Sequence, residues 1–300
     1  FMTAKITSCL VASLFSVLAS STTLLADTSP TLERIAQRQT ITIGHRESEV
    51  PFSYLVDGQP VGYAIDLCLA VVERISEQLE GPPPRVEFVP VTPVNRFILL
   101  RNGEIDLECG VTTSTSERRQ QAAFSYPHFL TATHYVALAE NDINTVADLA
   151  GRSVVSTTGT INVEQLNELN RTQELNIAVM LSRSHDEAFA MVANEKATAF
   201  VMDDILLASL VSAAALPQRF HISEETISEP KPYGLMMPLE DAVFAEMVNE
   251  ALYEHYHSGA IQALYDKWFL KPIPPGNRVI GLPVSSELAA IFERPDAYAH

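Results

Sequence analysis

The segment Thr112–Phe129, TTSTSERRQQAAFSYPHF, places hydroxyl side chains, a helix start and an arginine directly after the predicted strand Ile105–Gly110. Backbone N–H groups and a guanidinium in such an arrangement bind a small anion. Ser114 and Glu117 have the spacing of a capping box, which predicts a helix with Arg118 in its first turns. Because the helix dipole there favours negative groups, the pattern indicates that Arg118 binds a carboxylate.

A second hydroxyl-rich turn lies further along the chain. Thr157-Thr158-Gly159-Thr160 follows the predicted strand Ser153–Val155 and precedes a helix that we expect to begin at Ile161. Glycine lets the backbone approach a ligand closely, and the helix start offers free N–H groups. The turn lacks the lysine and the spacing of a nucleotide P-loop, so the pattern does not favour ATP binding.

Four further charged side chains have both a structural and a functional interpretation. Arg46 follows the first predicted strand and Arg96 opens a helix, so each is either a surface charge or a ligand contact. His185 lies in a helix-capping segment, where a solvated histidine is the alternative to a ligand contact. Asp203 ends the apolar strand Ala197–Met202, where its carboxylate either caps the next helix or meets a ligand ammonium.

The elements that must position these residues alternate between strands and helices. Ile41–Gly44 and Val86–Pro90 are predicted strands, and the helix between them ends at Gly81-Pro82-Pro83-Pro84. The apolar positions of this helix recur at spacings of three and four residues, and they are Ile65, Leu69, Val72, Ile75 and Leu79. This alternation predicts an α/β protein with largely parallel strand pairing.

A weak internal repeat indicates two similar lobes. NRFILLRNGEIDLECGV (Asn95–Val111) aligns without gaps on EAFAMVANEKATAFVMD (Glu187–Asp203), and each half is predicted as a helix, a polar turn and a buried strand. Open α/β sheets bind ligands outside the carboxyl ends of their strands. Two facing lobes would therefore bring Val111 and Asp203 to one cleft.

We expect the chain to pass between the two lobes twice. We place the crossings at Tyr135–Ala139 and near Ser228–Met237. Residues 27–133 and 231–300 then form a discontinuous lobe 1 with a C-terminal extension that runs back over it, and residues 134–230 form lobe 2.

Composition narrows the class of protein. The 300 residues are 47% hydrophobic and 19% charged, with a net charge of −17 and no basic run. Such a chain is globular, and nucleic acid and anionic membrane surfaces are poor partners for it.

The N-terminus predicts export. Lys5 precedes an apolar stretch, Leu10–Ala19, and small residues follow, which predicts a signal peptide at residues 1–26 with cleavage after Ala26. Cys9 precedes the apolar stretch, whereas a lipoprotein cysteine should follow it. Only Cys68 and Cys109 remain in the mature chain, either as a disulfide or as two buried thiols.

Enzyme and metal signatures are absent from the sequence. There is no G-x-S-x-G elbow and no H-E-x-x-H motif. His255 and His257 are two residues apart, so on a helix they do not share a face. We expect no catalysis, no metal and no cofactor.

Taken together, these motifs resemble the periplasmic solute-binding proteins of polar amino acid ABC importers, and within them the glutamate/aspartate-binding subgroup. The resemblance runs from about Ile41 to Pro295 and rests on GHRESEVPFSY, RNGEIDLECG, ERRQQAAFS, MDD and YDKWFLKPIPP. It implies a two-lobed type II binding protein that closes on its ligand by a Venus-flytrap motion. It also implies a monomer that delivers L-glutamate or L-aspartate to an inner-membrane permease.

The resemblance also implies a role for each site residue. Arg118 and the Thr113 N–H would hold the ligand α-carboxylate, while Asp203 and the Val111 carbonyl would hold the ammonium. The remaining contacts would surround the side-chain carboxylate or add a hydrogen bond from lobe 2, and they are Arg46, Arg96, His185 and Thr160.

The chain departs from the subgroup at three positions. Pro93, Val111 and Ile161 stand where the subgroup tends to carry small hydroxyl residues, so the ranking of glutamate, aspartate and their amides stays open. The alternatives are a prephenate or arogenate dehydratase on the same fold and a receptor that feeds a membrane sensor.

Overall fold

A computed structural model describes residues 28–298. The predicted signal peptide, its cleavage after Ala26 and the lipidation question at Cys9 lie outside these residues. The helices are α1 (Pro30–Arg38), α2 (Tyr63–Gln78), α3 (Arg96–Arg101), α4 (Ile161–Thr172), α5 (His185–Ala193), α6 (Asp204–Ala213), α7 (Ala242–His257), α8 (Ala260–Tyr265) and α9 (Ser286–Glu293). The strands are β1 (Thr40–His45), β2 (Ser48–Glu49), β3 (Ser53–Val56), β4 (Gln59–Val61), β5 (Arg85–Pro90), β6 (Leu107–Glu108), β7 (Ala123–Phe124), β8 (Phe129–Thr131), β9 (Thr133–Leu138), β10 (Ser153–Thr157), β11 (Ala178–Ser182), β12 (Ala199–Asp203), β13 (Phe220–Ile222), β14 (Lys231–Tyr233) and β15 (Met236–Met237).

The first sheet has the strand order β5-β1-β6-β15-β7 and defines lobe 1. Strand β1 pairs in parallel with β5 and β6, through Ile43 with Phe88 and Leu107, and β15 pairs antiparallel with β6 and β7. Every residue of β1 is buried, as expected for a central strand of a largely parallel sheet. The predicted strand at Ile105–Gly110 forms a ladder only over Leu107–Glu108.

The second sheet has the strand order β11-β10-β12-β9-β13 and defines lobe 2. Strand β10 is parallel to β11 and β12, while β9 runs antiparallel between β12 and β13. The predicted crossing at Tyr135–Ala139 is wrong, because most of this segment lies inside β9 and Tyr135 is fully buried. Antiparallel pairing with β12 holds the segment inside the sheet.

Strands β8 and β14 form a separate antiparallel pair beside the point where the chain passes between the sheets. Phe129 of β8 and Tyr233 of β14 are register partners. Both rings pack against Phe52, with centroid distances of 4.9 and 5.4 Å. This aromatic packing anchors the two-stranded ribbon to lobe 1.

Helix α2 and the C-terminal helices complete lobe 1. Gly62 precedes α2 with φ 137°, and a Cβ there would lie 2.2 Å from the Phe52 carbonyl oxygen, so this entry to the helix requires glycine. Leu69 is 39% exposed and lies off the buried face, which Cys68 occupies instead. The structure joins Cys68 to Cys109 in a disulfide, with the two Cα atoms 6.3 Å apart.

The C-terminal extension packs on lobe 1. Helix α7 spans Ala242–His257, and Gly259 follows it with a left-handed backbone. The Tyr256 ring contacts Phe292 of α9 at a centroid distance of 4.9 Å, and His257 Nε2 lies 3.0 Å from the Glu293 carbonyl oxygen. Within residues 28–298, none of the helices has the length and apolar character needed to cross a membrane.

Candidate functional site

A cavity lies between the two lobes, with a volume of about 270 Å³ when the space open to solvent is included. The structure places every residue of the predicted site in its wall, namely Arg46, Arg96, Val111, Thr113, Arg118, Thr160, His185 and Asp203. Four further residues complete the wall, namely Ile161, Asn162, Met202 and Leu206. Residues separated by up to 160 positions in the chain therefore line one pocket.

Arg118 lies in a 3₁₀ turn, Arg118–Gln120, rather than in an α-helix. The predicted cap at Ser114 is wrong, because the Ser114 N–H donates across to the Pro232 carbonyl oxygen at 2.9 Å and the residue is held in a strand-like pairing. Thr115 replaces it, and its Oγ1 accepts from the Arg118 N–H at 3.2 Å. The turn is shorter than predicted but still directs the guanidinium into the cavity.

The Arg118 guanidinium joins the two lobes. Its Nη1 donates to the Thr113 carbonyl oxygen at 3.0 Å, and its Nη2 donates to the Gly159 carbonyl oxygen of lobe 2 at 3.4 Å. The Phe97 ring lies 5.6 Å from the guanidinium carbon. Burial lowers the pKa of Arg118, and a bound anion would offset the cost of burying this charge.

The Thr113 N–H faces the same side as this guanidinium. Thr113 pairs with Tyr233 in an isolated bridge whose hydrogen bonds come from the neighbouring residues, Ser114 and Gly234. In such a non-hydrogen-bonded antiparallel pair, the N–H and the carbonyl of each paired residue point away from the partner strand. The Thr113 N–H is therefore directed to the side where its carbonyl meets Arg118.

Arg96 is buried at the start of α3, so its interpretation as a surface charge is wrong. Its Nη1 donates to the Val111 carbonyl oxygen at 3.1 Å and to Thr112 Oγ1 at 2.7 Å, while Nε has no hydrogen-bond partner in the described part of the chain. Burial lowers the pKa of Arg96 to about 9, and repulsion from Arg118 adds to this. The side chain stays charged at neutral pH and keeps a free donor.

The Val111 carbonyl oxygen accepts a hydrogen bond from a cation. Arg96 Nη1 occupies one of its lone pairs. A guanidinium at this position is an unfavourable neighbour for a ligand ammonium. The Val111 carbonyl therefore also orients Arg96, a role that the residue pattern did not predict, while its contact with the ligand ammonium stays a prediction that would use the second lone pair.

Arg46 is also buried rather than solvated, and it is paired within the protein. Its Nη2 lies 2.7 Å from Glu49 Oε1, and His185 Nε2 of lobe 2 lies 3.1 Å from the same oxygen. His185 Nδ1 lies 2.7 Å from Thr157 Oγ1, so both ring nitrogens of this histidine have protein partners. The interpretation of His185 as a solvated side chain is wrong, since it is 5% exposed.

The Glu49 carboxylate behind these residues is almost completely buried. Burial by itself raises the pKa of Glu49, but Arg46 and His185 outweigh burial and hold the pKa at about 2. The carboxylate is therefore ionised at neutral pH. Its contact with Arg46 is an ion pair, and His185 Nε2 lies on the other side of the same oxygen.

A second buried carboxylate, Glu108, lies on the Arg96 side of the cavity. Its Oε2 accepts from Thr112 Oγ1 at 2.9 Å, and Oε1 has no hydrogen-bond partner among residues 28–298. Burial raises the pKa of Glu108, although Arg96 opposes this. Thr112 thus connects Glu108 to the guanidinium that lines the cavity.

Asp203 ends β12 as predicted and does not cap α6 with its side chain. Its Oδ1 accepts from Asn162 Nδ2 at 2.8 Å, and its Oδ2 accepts from the Tyr233 hydroxyl. Burial raises the pKa of Asp203, and these two donors oppose the rise. The carboxylate keeps acceptor capacity for a further donor, because each oxygen can accept more than one hydrogen bond.

Gly159 and Thr160 bring lobe 2 against lobe 1. Gly159 has φ +83°, and a Cβ there would lie 2.8 Å from the Pro93 carbonyl carbon and 2.9 Å from Val94 N. Thr160 precedes α4 as predicted, and its hydroxyl donates to the Thr157 carbonyl oxygen at 2.7 Å. The lobes are closed over the cavity at this point.

The residue pattern missed four functional positions. Asn162 and Tyr233 hold Asp203, and Glu49 and Glu108 lie behind the arginines. Asn162 offered one signal, because asparagine is a poor helix former and here lies in the first turn of a helix. The other three are assembled by tertiary contacts across long stretches of chain.

The cavity is suited to a zwitterion with additional anionic character. Three guanidiniums from lobe 1 face one carboxylate from lobe 2. In residues 28–298, no group of three or more His, Cys, Asp or Glu side chains could hold a metal ion. The arrangement can bind and orient charged groups through charge-assisted hydrogen bonds.

Comparison with known proteins agrees with this geometry. Residues 41–271 match the family model described as bacterial extracellular solute-binding proteins, family 3. The "Glutamate/aspartate import solute-binding protein" of Escherichia coli (strain K12) is 38% identical over 267 residues, which cover 89% of this chain and 88% of that relative.

Two solved structures extend the comparison to the fold. An ancestral arginine-binding protein bound to arginine has a TM-score of 0.70 and 27% identity, over 77% of this chain and 99% of that one. The ancestral amino acid-binding protein AncCDT-1, a precursor of cyclohexadienyl dehydratase, has a TM-score of 0.68 and 25% identity, over 80% and 99%. The predicted two-lobed α/β architecture is confirmed, and the chain belongs to the bacterial extracellular solute-binding proteins of family 3.

Proposed function

We propose that this protein is a receptor that binds an acidic amino acid, L-glutamate or L-aspartate, and delivers it to an inner-membrane ABC permease. It acts in the periplasm as a monomer, after removal of residues 1–26, and it catalyses no reaction. The observation that carries the proposal is the closed cavity, in which three arginines of one lobe face one aspartate of the other.

In the proposed complex, Arg118 and the Thr113 N–H hold the α-carboxylate. Arg118 has the required freedom, because its two interactions are with carbonyl oxygens rather than with an anion. Each charge-assisted hydrogen bond contributes about 1.5–3 kcal/mol net. When the ligand binds, its charged α-carboxylate replaces neutral carbonyl oxygens as the acceptor of hydrogen bonds from Arg118.

Asp203 of lobe 2 takes the ligand ammonium. Its carboxylate is oriented by Asn162 and Tyr233. Arg96, with its free Nε, faces the side-chain carboxylate, and Arg46 and His185 complete that end of the cavity. Thr160 adds a hydrogen bond to the ligand from lobe 2.

This arrangement couples binding to closure. A ligand stabilises the closed form only through its differential affinity for that form. A single amino acid bridges Arg118 of lobe 1 and Asp203 of lobe 2, and both contacts exist together only when the cleft is closed. The closed surface is then what the permease recognises.

The relative named for glutamate and aspartate import supports this ligand class. The structural neighbour named as a precursor of cyclohexadienyl dehydratase indicates which enzyme is the alternative, namely a dehydratase. That alternative needs a general acid in the cavity. Burial raises the pKa of Asp203, although the hydrogen bonds that it accepts at both oxygens oppose the rise, and the same carboxylate is needed to pair with the ligand ammonium. We therefore rank a dehydratase acting on prephenate or arogenate second.

Isothermal titration calorimetry against the common amino acids tests the proposal, with the protein refolded to remove bound ligand. We expect micromolar or tighter binding of glutamate or aspartate. Arg118→Ala should weaken it by at least a hundredfold, because stranding a buried charge costs about 3–5 kcal/mol and 1.4 kcal/mol is tenfold.

Arg119→Ala is the matched control. Arg119 is the adjacent arginine and contacts Ser114 Oγ at 3.2 Å, outside the cavity wall. Its variant should bind within threefold of the wild type. No binding of any amino acid would overturn the proposal, and turnover of prephenate or arogenate by the same preparation would replace it with the enzyme.

A further inference from the structure

Glu49 is a buried carboxylate that the proposed binding scheme does not use. It is 1% exposed and lies one layer behind the cavity, on the short strand β2. Both side chains that it contacts line the cavity, and they come from different lobes: Arg46 at 2.7 Å and His185 at 3.1 Å. Glu49 therefore acts on the cavity through its neighbours.

The charges at this end of the cavity differ from those expected from the arginines alone. The ion pair with Glu49 offsets the positive charge of Arg46. His185 Nε2 is directed at the same carboxylate, and its Nδ1 is engaged by Thr157. Arg96 is thus the remaining guanidinium here without a direct carboxylate partner in the described chain, since it reaches Glu108 only through Thr112.

The apolar part of the cavity wall is consistent with this conclusion. The side chains of Ile161, Met202 and Leu206 line the cavity and have no hydrogen-bond donor to offer a ligand carboxylate. A carboxylate bound here gains less than the guanidiniums at this end would suggest, because the fixed Glu49 anion lies directly behind Arg46. An amide side chain has no net charge and does not feel this repulsion.

We propose that Glu49 is a specificity-determining residue, a built-in anion that sets the margin by which the receptor prefers an acidic amino acid over its uncharged amide. This inference rests on the proposed function, because it takes the ligand side chain to lie at the Arg46 end. Glu49 positions Arg46 and His185 and lowers the positive potential that they present. Removal of the Glu49 charge should strengthen the binding of acidic amino acids relative to the binding of their amides.

The test is the ratio of the Kd of the amide to the Kd of the acid, measured by calorimetry for glutamine with glutamate and asparagine with aspartate. Glu49→Gln should raise this ratio at least tenfold over the wild type. A merely structural role, or a latch between the lobes, would change both affinities by the same factor and leave the ratio unmoved. A shift of less than tenfold in a folded variant overturns the inference.

Two controls separate charge from local disturbance. Glu47→Gln removes a carboxylate from the same segment, but Glu47 is exposed, so its ratio should stay within threefold of the wild type. Glu49→Asp keeps the charge and should also stay within threefold. A tenfold shift in either control would show that the ratio does not report the buried charge, and it would overturn the inference.

A double-variant comparison keeps the test valid if Glu49→Gln alone does not fold. Arg46→Gln should lower the ratio at least tenfold, because it leaves the Glu49 charge uncompensated. The double variant Arg46→Gln/Glu49→Gln should have a ratio at least tenfold higher than that of Arg46→Gln alone. An unchanged ratio in the double variant overturns the inference. If the wild type binds neither acids nor amides, the proposed function itself fails, whereas binding with an unmoved ratio fails this inference alone.

Discussion

The two lobes contribute opposite charges to one cavity. Lobe 1 supplies Arg46, Arg96 and Arg118, and it carries two buried carboxylates behind them. Lobe 2 supplies Asp203, which is held by the neutral donors Asn162 and Tyr233. Neither lobe alone can pair both ends of an amino acid, so the difference between the lobes makes the ligand a bridge.

This asymmetry arises on equivalent backbones. Asn102 and Asn194 each end a helix with an N–H that donates four residues back at 2.9 Å, and the next residues, Gly103 and Glu195, both have left-handed φ, 69° and 58°. The internal repeat therefore has a structural counterpart. The fold supplies two similar strand ends, and single side chains near those ends decide the charge.

The largest expected effect comes from removing the charge of lobe 2. Asp203→Asn should weaken binding of the acidic amino acid by at least a hundredfold, because the buried ammonium loses its counter-charge. The same variant should discriminate less against a dicarboxylate that has the same carbon chain but no amine. Calorimetry with both ligands measures the two effects.

Asp204→Asn is the control for this prediction. Asp204 is the adjacent carboxylate, but its Oδ1 accepts from the Thr131 hydroxyl at 2.6 Å and it is not part of the cavity wall. Its variant should bind within threefold of the wild type. An equal loss in both variants would contradict the role of Asp203 as the charge partner.

A smaller effect concerns the acid sensitivity of lobe 1. His128 lies among aromatic rings and has no hydrogen-bond partner at either ring nitrogen in the described chain, and burial lowers its pKa to about 3. The unfolded chain takes up this proton near pH 6.5, so stability present above that pH is lost as the pH falls towards 3. At pH 5 the buried neutral His128 lowers the free energy of unfolding by about 2 kcal/mol.

His128→Phe should remove this cost. Urea unfolding at pH 7 and pH 5 measures it, and the stability difference between the two pH values should be about 2 kcal/mol smaller in the variant. His134 of lobe 2 is the control, because its Nδ1 lies 2.8 Å from the Ser223 carbonyl oxygen and it is only half-buried. If His134→Phe flattens the pH dependence as much, burial of His128 is not the cause.

The smallest expected effect tests the contact between the lobes. Gly159→Ala should weaken ligand binding about tenfold, because the new Cβ would lie 2.8 Å from Pro93 in the closed form. Gly151→Ala is a matched control, since Gly151 also has positive φ, +70°, but has no atom within 4 Å of an added Cβ. Both variants should lose similar stability, and only Gly159→Ala should lose affinity.

Local patterns predicted the elements well where periodicity and stop signals agree. Helix α2 ends shortly before the predicted stop at Gly81-Pro82-Pro83-Pro84, and Asp203 ends its strand as expected. The capping box at Ser114 failed because a cross-strand hydrogen bond to Pro232 competes for the residue. The predicted crossing at Tyr135–Ala139 failed because this segment pairs with β12 and β13 in the second sheet.

The site was predictable as a set of residues but not as a set of contacts. Three guanidiniums, one aspartate and two hydroxyl-rich turns were each recognisable from residue type and position. The partners of those groups lie far away in the chain, such as Tyr233 for Asp203. Glu49 could be assigned only once Arg46 and His185 were seen on either side of it.

The sequence by itself determined the α/β alternation, the two-lobed repeat and the types of charge available, because these depend on periodicity and side-chain chemistry over short ranges. Tertiary structure alone decided that Cys68 and Cys109 pair, that Arg46 is neutralised and that one arginine reaches across to Gly159. The physical reason is that burial and proximity set the energy of a charge, and both are properties of the folded chain.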